Sequence, residues 1–304
     1  EKLNIYILIM GCNITYIILS SIIIYILYKL FYNVYETFDN VKYINKLYSI
    51  LSGDYQKIFP DMNRNAGGVQ FFEYEAIDLA RPEKLLSQGL RLDSDGLRVI
   101  PNLGKVKRAL SLDCDFLGSR EPFALANTRS FMGGRKVTSP GDAKKMNRLY
   151  SVESDMTLTG GVADHRLRLD PSQTPAFAFL LAAEIISVRK GDQTLAKRLK
   201  ELGESAEIHR EWITPCVADL CSKPSQSIVL AGSHLPEEVH VAVFLINQSL
   251  GAIGNTINYL PTNDSYGGIS ELIEKIEADE IENLLFVGGN PVFLTDSFVD
   301  WDRI

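Results

Sequence analysis

Leu284-Leu285-Phe286-Val287 is a run of four apolar residues that breaks directly into Gly288-Gly289-Asn290-Pro291, and this limits the possible folds more than any other stretch. Four apolar residues in succession, without the alternation of a half-solvated strand, suit a parallel strand covered on both faces. Two glycines then let the backbone turn sharply or pass close to a ligand, with no Cβ in the way. Open α/β sheets place their binding sites at such strand ends. Gly, Asn and Pro also fill strand-to-helix loops for backbone reasons alone, so the turn takes its meaning from what stands upstream.

Upstream, strand-like and helix-like segments alternate. Val69 to Tyr74, Ala109 to Asp113 and Tyr150 to Glu153 read as strands, the second running into a loop from Cys114 to Ser119. Ala76 to Gln88 reads as a helix around Arg81-Pro82, and Thr174 to Arg189 as an apolar helix with Pro175 in its first turn. Helices over Gln193 to Leu202 and Glu207 to Cys221 follow. Ser227 to Ala231 is then a strand, Gly232-Ser233-His234-Leu235 a turn, and Pro236 to Leu250 a helix whose first turn carries Glu237 and Glu238. A strand over Thr256 to Tyr259, a helix over Ile269 to Ala278 and the strand at Leu284 complete the series. Strand, helix, strand, helix, strand in that order implies crossover connections and a mostly parallel sheet.

The first 60 residues differ in composition. Leu3 to Tyr28 contains no charged residue, about 26 residues against the roughly 20 that a helix needs to cross a bilayer. This is the expectation of a transmembrane helix. Phe31, Val34, Phe38, Val41, Ile44, Tyr48 and Leu51 then recur at helical spacing, as in an amphipathic juxtamembrane helix. The first arginine is Arg64, and Pro60 to Gly68 carries Pro, Asn and Gly in turn-forming order, so a boundary falls there, dividing 1–60 from 61–304. The body is large enough for a core of its own, with 46% of the whole chain hydrophobic. A formal net charge of -7 and the lack of a basic run with interleaved aromatics argue against a nucleic-acid partner.

Four segments occur in a recognisable order. They are Leu112-Asp113-Cys114-Asp115-Phe116-Leu117-Gly118; Met146-Asn147-Arg148-Leu149-Tyr150 with Val152-Glu153; Gly160-Gly161-Val162-Ala163-Asp164-His165-Arg166-Leu167-Arg168-Leu169; and the Gly288 to Pro291 turn. Together they resemble the molybdopterin-oxidoreductase-like, iron-sulfur large subunit of bacterial alternative complex III, a quinol-oxidising respiratory complex. The similarity covers about Gly68 to Ile304, and the Asp-His-Arg-Leu-Arg-Leu segment is its most specific part. The expected fold is therefore α/β, with mostly parallel, Rossmann-like sheets of the molybdopterin oxidoreductase (formate dehydrogenase and DMSO reductase-like) type, preceded by the N-terminal transmembrane helix.

The resemblance implies a non-catalytic, cofactor-free scaffold without molybdopterin, whose iron-sulfur clusters would lie in a region beyond Ile304. It implies multi-span quinol-binding membrane subunits and a multihaem cytochrome c subunit as partners, with the body on the periplasmic side. Lys29, Lys42, Lys46 and Lys57 follow the apolar run while only Lys2 precedes it, which by the positive-inside rule points the other way; we follow the resemblance. Loops Asp113 to Gly118 and Gly288 to Pro291 are the expected walls of a vestigial dinucleotide crevice, with Asp113, Asp115, Gly288, Gly289, Asn290 and Pro291 as its residues and Gly232-Ser233-His234 as a third wall. Asp164, His165, Arg166 and Arg168 are expected to pack by hydrogen bonds and ion pairs against their own sheet or a partner subunit.

Other chemistries fit less well. Cys12, Cys114, Cys216 and Cys221 have no Cys-x-x-Cys spacing, so neither a cluster nor a metal site is expected. Asp164-His165 lacks a Gly-x-Ser-x-Gly elbow, and neighbours on an extended segment point to opposite sides, which disfavours a hydrolase. Two alternatives stay open: a fragment of an active molybdopterin oxidoreductase, and a membrane-anchored nucleotide-binding domain.

Overall fold

The computed structural model describes residues 5–10, 69–74, 81–89, 96–118, 123–262, 267–281, 283–287, 290–295 and 299–301. The chain divides into two compact units, one formed by Leu79–Asn263 and the other by Glu1–Asp78 with Asp264–Ile304. The boundary expected at Pro60 to Gly68 and the amphipathic helix before it lie outside the described residues.

In the Leu79–Asn263 unit the elements run α1 (Arg81–Gly89), β3 (Gly96–Pro101), β4 (Arg108–Leu112), α2 (Ala124–Gly133), β5 (Arg148–Glu153), α3 (Leu158–Gly161) and β6 (His165–Arg168). Then follow α4 (Thr174–Val188), α5 (Gln193–Leu202), α6 (Arg210–Ser222), β7 (Ser227–Ala231), α7 (Glu237–Ser249) and β8 (Ile257–Thr262). A four-stranded sheet in the order β6-β5-β4-β7 forms the centre, and all its pairings are parallel. Ala109, Leu110, Ser111 and Leu112 of β4 are all buried, as are Ile228 and Val229 of β7, because helices cover both faces.

Helix α4 is buried nearly all round: Phe177, Ala178, Leu180, Leu181, Ala182, Ala183, Ile185 and Ile186 are inaccessible or almost so. A helix apolar on every side has to sit inside a core. Each of its larger side chains contributes about 1.5–3 kcal/mol by leaving water. Helix α5 begins where Asp192 caps it, its Oδ1 accepting from the N–H groups of Thr194 (2.8 Å) and Leu195 (3.1 Å).

Strand β7 ends the sheet, and its outer edge is closed by a side chain. Asn247 of α7 donates from Nδ2 to the Val229 carbonyl (2.8 Å), while its Oδ1 accepts from the Val229 N–H (3.0 Å). One amide thus stands where the next strand would stand and satisfies both groups that Val229 points away from β4.

Two departures from the sequence reading concern this unit. His165–Arg168, read as a charged loop, is edge strand β6, with Tyr150 opposite His165 and Glu153 opposite Arg168. The strand after α7 does not join the parallel sheet; β8 pairs antiparallel with β3 in a two-stranded ribbon, Gly96 opposite Thr262 and Pro101 opposite Ile257. Pro101 and Pro261 explain the choice, since a proline removes a ladder donor and is tolerated at strand edges, of which a ribbon has nothing else.

The second unit holds β1 (Ile5–Met10), β2 (Val69–Tyr74), α8 (Ile269–Glu277), β9 (Asn283–Val287) and α9 (Pro291–Leu294). Its sheet, in the order β2-β1-β9, is parallel throughout, with Ile5 opposite both Val69 and Asn283. Phe72 packs with Ile269, Leu272 and Val299 in a small core. Here the expected transmembrane helix is corrected at its start: Ile5–Met10 is the central strand of a sheet, not the first turns of a helix. A β-branched, charge-free run suits a buried strand as well as a membrane helix, and periodicity alone does not separate them. Residues 11–28, the rest of the expected span, lie outside the described residues. Among the described residues no helix is long and apolar enough to cross a membrane.

Candidate functional site

The chain leaves β4 for β5 on one side, whereas β7 lies on the other side of β4. The C-terminal ends of β4 and β7 therefore form the switch point of the sheet, where open α/β folds place a crevice. Asp113 closes β4 with a left-handed backbone (φ 46°), a conformation that a short polar side chain tolerates better than most. Gly232 closes β7. A Cβ there would lie 2.2 Å from the Asp113 carbonyl oxygen, so the two turns approach this closely only because position 232 is glycine.

Three carboxylates stand along this edge, and each is held by the chain itself. Asp113 accepts from the Ser154 N–H and hydroxyl, both at 3.4 Å, and lies 3.5 Å from Nε2 of His234. The His234 imidazole holds the Asp113 carboxyl below its ordinary range against the opposing effect of burial, and Ser154 adds to the lowering. Asp115 accepts from the Thr159 N–H (2.9 Å) and hydroxyl (2.8 Å), while the Leu117 N–H donates to the same hydroxyl oxygen (3.2 Å). Glu153, at the end of β5, is 3% exposed. It accepts from Nε of Arg166 (2.5 Å) and from the Thr157 hydroxyl (2.6 Å).

The glycines of these loops make room for carboxylates. A Cβ on Gly118 would meet Asp115 Oδ2 at 1.7 Å, and one on Gly160 would meet Glu153 Oε1 at 1.6 Å. The space that a missing side chain leaves at each position is filled from within the chain.

Asp164 bonds to Nη2 of Arg135 (2.7 Å) and accepts from the Leu149 N–H (2.8 Å), while His165 stacks on Tyr150 with ring centroids 4.7 Å apart. Arg166 is spent on Glu153 and on the Asp155 carbonyl (3.0 Å), and Arg168 is exposed. Asn290 caps α9 by accepting from the Val292 N–H (3.0 Å), with Pro291 as the first helical residue. Gly288 and Gly289 lie outside the described residues. The Asp113 and Asn290 loops belong to separate units and follow strands of different sheets.

Sequence reasoning did not single out Ser154, Thr157 or Thr159, the hydroxyl residues that hold the carboxylates. A signal was present, for Thr157 caps α3 by accepting from the Gly160 N–H (3.1 Å), and Thr before a Gly-Gly pair marks a short helical turn. Cys114, Cys216 and Cys221 form no disulfide among the described residues, and burial pushes Cys216 and Cys221 up.

At the other end of the sheet Asp219 gathers Nε of Arg108 (2.6 Å), Nη1 of Arg148 (2.8 Å) and the Tyr150 hydroxyl (3.0 Å). Burial pushes the Tyr150 phenol up to about 12; the Arg148 guanidinium pulls the other way and Asp219 adds to the rise.

No protein-family model matches the chain, and no curated protein matches it. Among solved structures it is similar to acetylene hydratase from Pelobacter acetylenicus, with 11% sequence identity and a TM-score of 0.46. The likeness covers 61% of this chain and 26% of that one, so the chain spans about a quarter of the acetylene hydratase.

Proposed function

We propose that the chain is a structural, non-catalytic subunit of the molybdoenzyme-like kind, which keeps a parallel-sheet platform while its strand-end loops hold carboxylates in place of a pterin dinucleotide. One observation carries this: along the C-terminal edge of the sheet the space beside Gly118 and Gly160 is taken by Asp115 and Glu153. A pyrophosphate would need open backbone N–H groups and a positive or neutral wall. Here the Thr159 N–H is spent on Asp115, Arg166 is spent on Glu153, and Asp113 brings a third negative charge. These residues do not fit a pterin dinucleotide, and no step of chemistry is assigned to one.

The four motifs support a setting for the platform, a membrane quinol-oxidising complex like alternative complex III. On that reading the chain is membrane-associated, with its body on the periplasmic side, and contacts multi-span quinol-binding subunits and a multihaem cytochrome c. Affinity purification of the tagged full chain from detergent-solubilised membranes tests this. The expected result is co-purification of a c-type haem spectrum and multi-span subunits; purification of the chain with neither would overturn the reading.

A further inference from the structure

The N-terminal edge of the four-stranded sheet, opposite the switch point, concentrates positive charge. The Lys107 N–H donates to the Gln226 carbonyl (2.7 Å), the Arg148 N–H to the Lys107 carbonyl (2.9 Å) and the Asn147 N–H to the Gly134 carbonyl (3.3 Å). Lys107 Nζ reaches the Lys145 carbonyl (3.1 Å). These bonds tie the turns before β4, β5 and β7 into one surface that carries Lys105, Lys107, Lys136, Lys144, Lys145 and Lys223. The carboxylates of the same surface are already engaged. Asp219 holds Arg108 and Arg148, Asp164 holds Arg135, and Asp142 accepts from Thr138 and Ser139 and lies 3.7 Å from Lys145 Nζ. Five exposed lysines, Lys105, Lys136, Lys144, Lys145 and Lys223, therefore face outward around half-buried Lys107, on a chain whose formal net charge is -7.

We infer that this edge docks on an anionic phospholipid surface. All three arginines, whose planar forks would suit a defined carboxylate or phosphate partner, are bound to the chain's own aspartates. What remains outward is lysine, a hydrated point charge on a flexible stem, matched to the diffuse negative potential of lipid headgroups. Val137, 47% exposed next to Lys136, places an apolar side chain on the same loop, as surface-bound proteins do at the headgroup boundary. Among the described residues, the turns that carry these lysines, 102–108, 134–147 and 223–226, contain none of the stacking aromatics that a single-stranded nucleic acid would use. This inference uses no residue of the switch-point edge and stands apart from the scaffold reading.

Co-sedimentation of the purified full chain with neutral phosphatidylcholine vesicles and with vesicles containing phosphatidylglycerol tests it, alongside a variant carrying K105Q, K136Q, K144Q and K145Q. All four positions are exposed, and an unchanged circular dichroism spectrum checks the fold. Binding to neutral vesicles measures whatever the apolar stretch 3–28 contributes. The anionic vesicles are expected to bind the parent chain more tightly by at least about tenfold at low salt, with that excess lost in high salt and in the variant. Equal binding of parent and variant to anionic vesicles would overturn the proposal. So would a variant that differs from the parent only in retention on an immobilised acidic polypeptide, which would assign the edge to a protein partner.

Discussion

Replacing Arg166 with methionine is expected to destabilise the Leu79–Asn263 unit by about 3–5 kcal/mol, the cost of leaving a buried charge without its partner. The side chain of Glu153 is 2% exposed and that of Arg166 25%. Without the guanidinium, Glu153 keeps only hydroxyl and N–H donors from Thr157, and its carboxylate stays buried in the place that a Cβ on residue 160 would take. The unfolding transition can be followed by Trp212 fluorescence in a W301F background, since the chain has only two tryptophans. Adding E153Q should restore at least half of the loss, because a neutral amide still accepts from Thr157 and needs no counter-charge. A stability change in R166M below about 1 kcal/mol, the scale of an exposed ion pair, would show that this is an ordinary surface contact.

Asn247→Leu is the second substitution with a large expected effect, about 2–5 kcal/mol, from two buried backbone groups each losing a partner. Asn247 is fully buried, and its amide is the only feature that completes the Val229 N–H and C=O among the described contacts. Leucine matches the volume but offers neither donor nor acceptor. Amide hydrogen exchange gives the specific readout: protection of Val229 should fall by at least about a hundredfold, beyond the fall at Leu110 in the neighbouring strand. Equal loss at both positions would indicate general destabilisation and remove the edge-closing role from Asn247.

The elements that could be read from the sequence are those with local signals. Gln193 to Leu202 and Ser227 to Ala231 were expected at the bounds they have, the one from helical spacing and the other from a short apolar run before a Gly-Ser turn. Strand β1 was not legible, because an isoleucine-rich stretch with no charge satisfies a membrane helix and a buried strand alike. Its true neighbours, Val69 and Asn283, are far away in sequence. The same limit applies to β8, whose partner Gly96–Pro101 gave no signal of its own, and to β6, whose alternating charges suit an edge strand and a loop equally. At the candidate site, Asp113, Asp115 and the Gly232-Ser233-His234 turn were legible because strand ends announce themselves by acid and glycine. Their hydroxyl partners were not, since serine and threonine are common everywhere and only the fold brings Ser154 to Asp113 and Thr159 to Asp115.

On the scaffold reading proposed above, the loops at the C-terminal edge of the sheet are filled by the chain's own carboxylates and leave no seat for a pterin dinucleotide. The most direct test is acid extraction of the purified intact complex, with fluorescence detection of oxidised pterin and metal analysis for molybdenum and tungsten. Background levels of pterin and of both metals per chain are expected. One pterin dinucleotide per chain, released together with a stoichiometric metal, would contradict the claim.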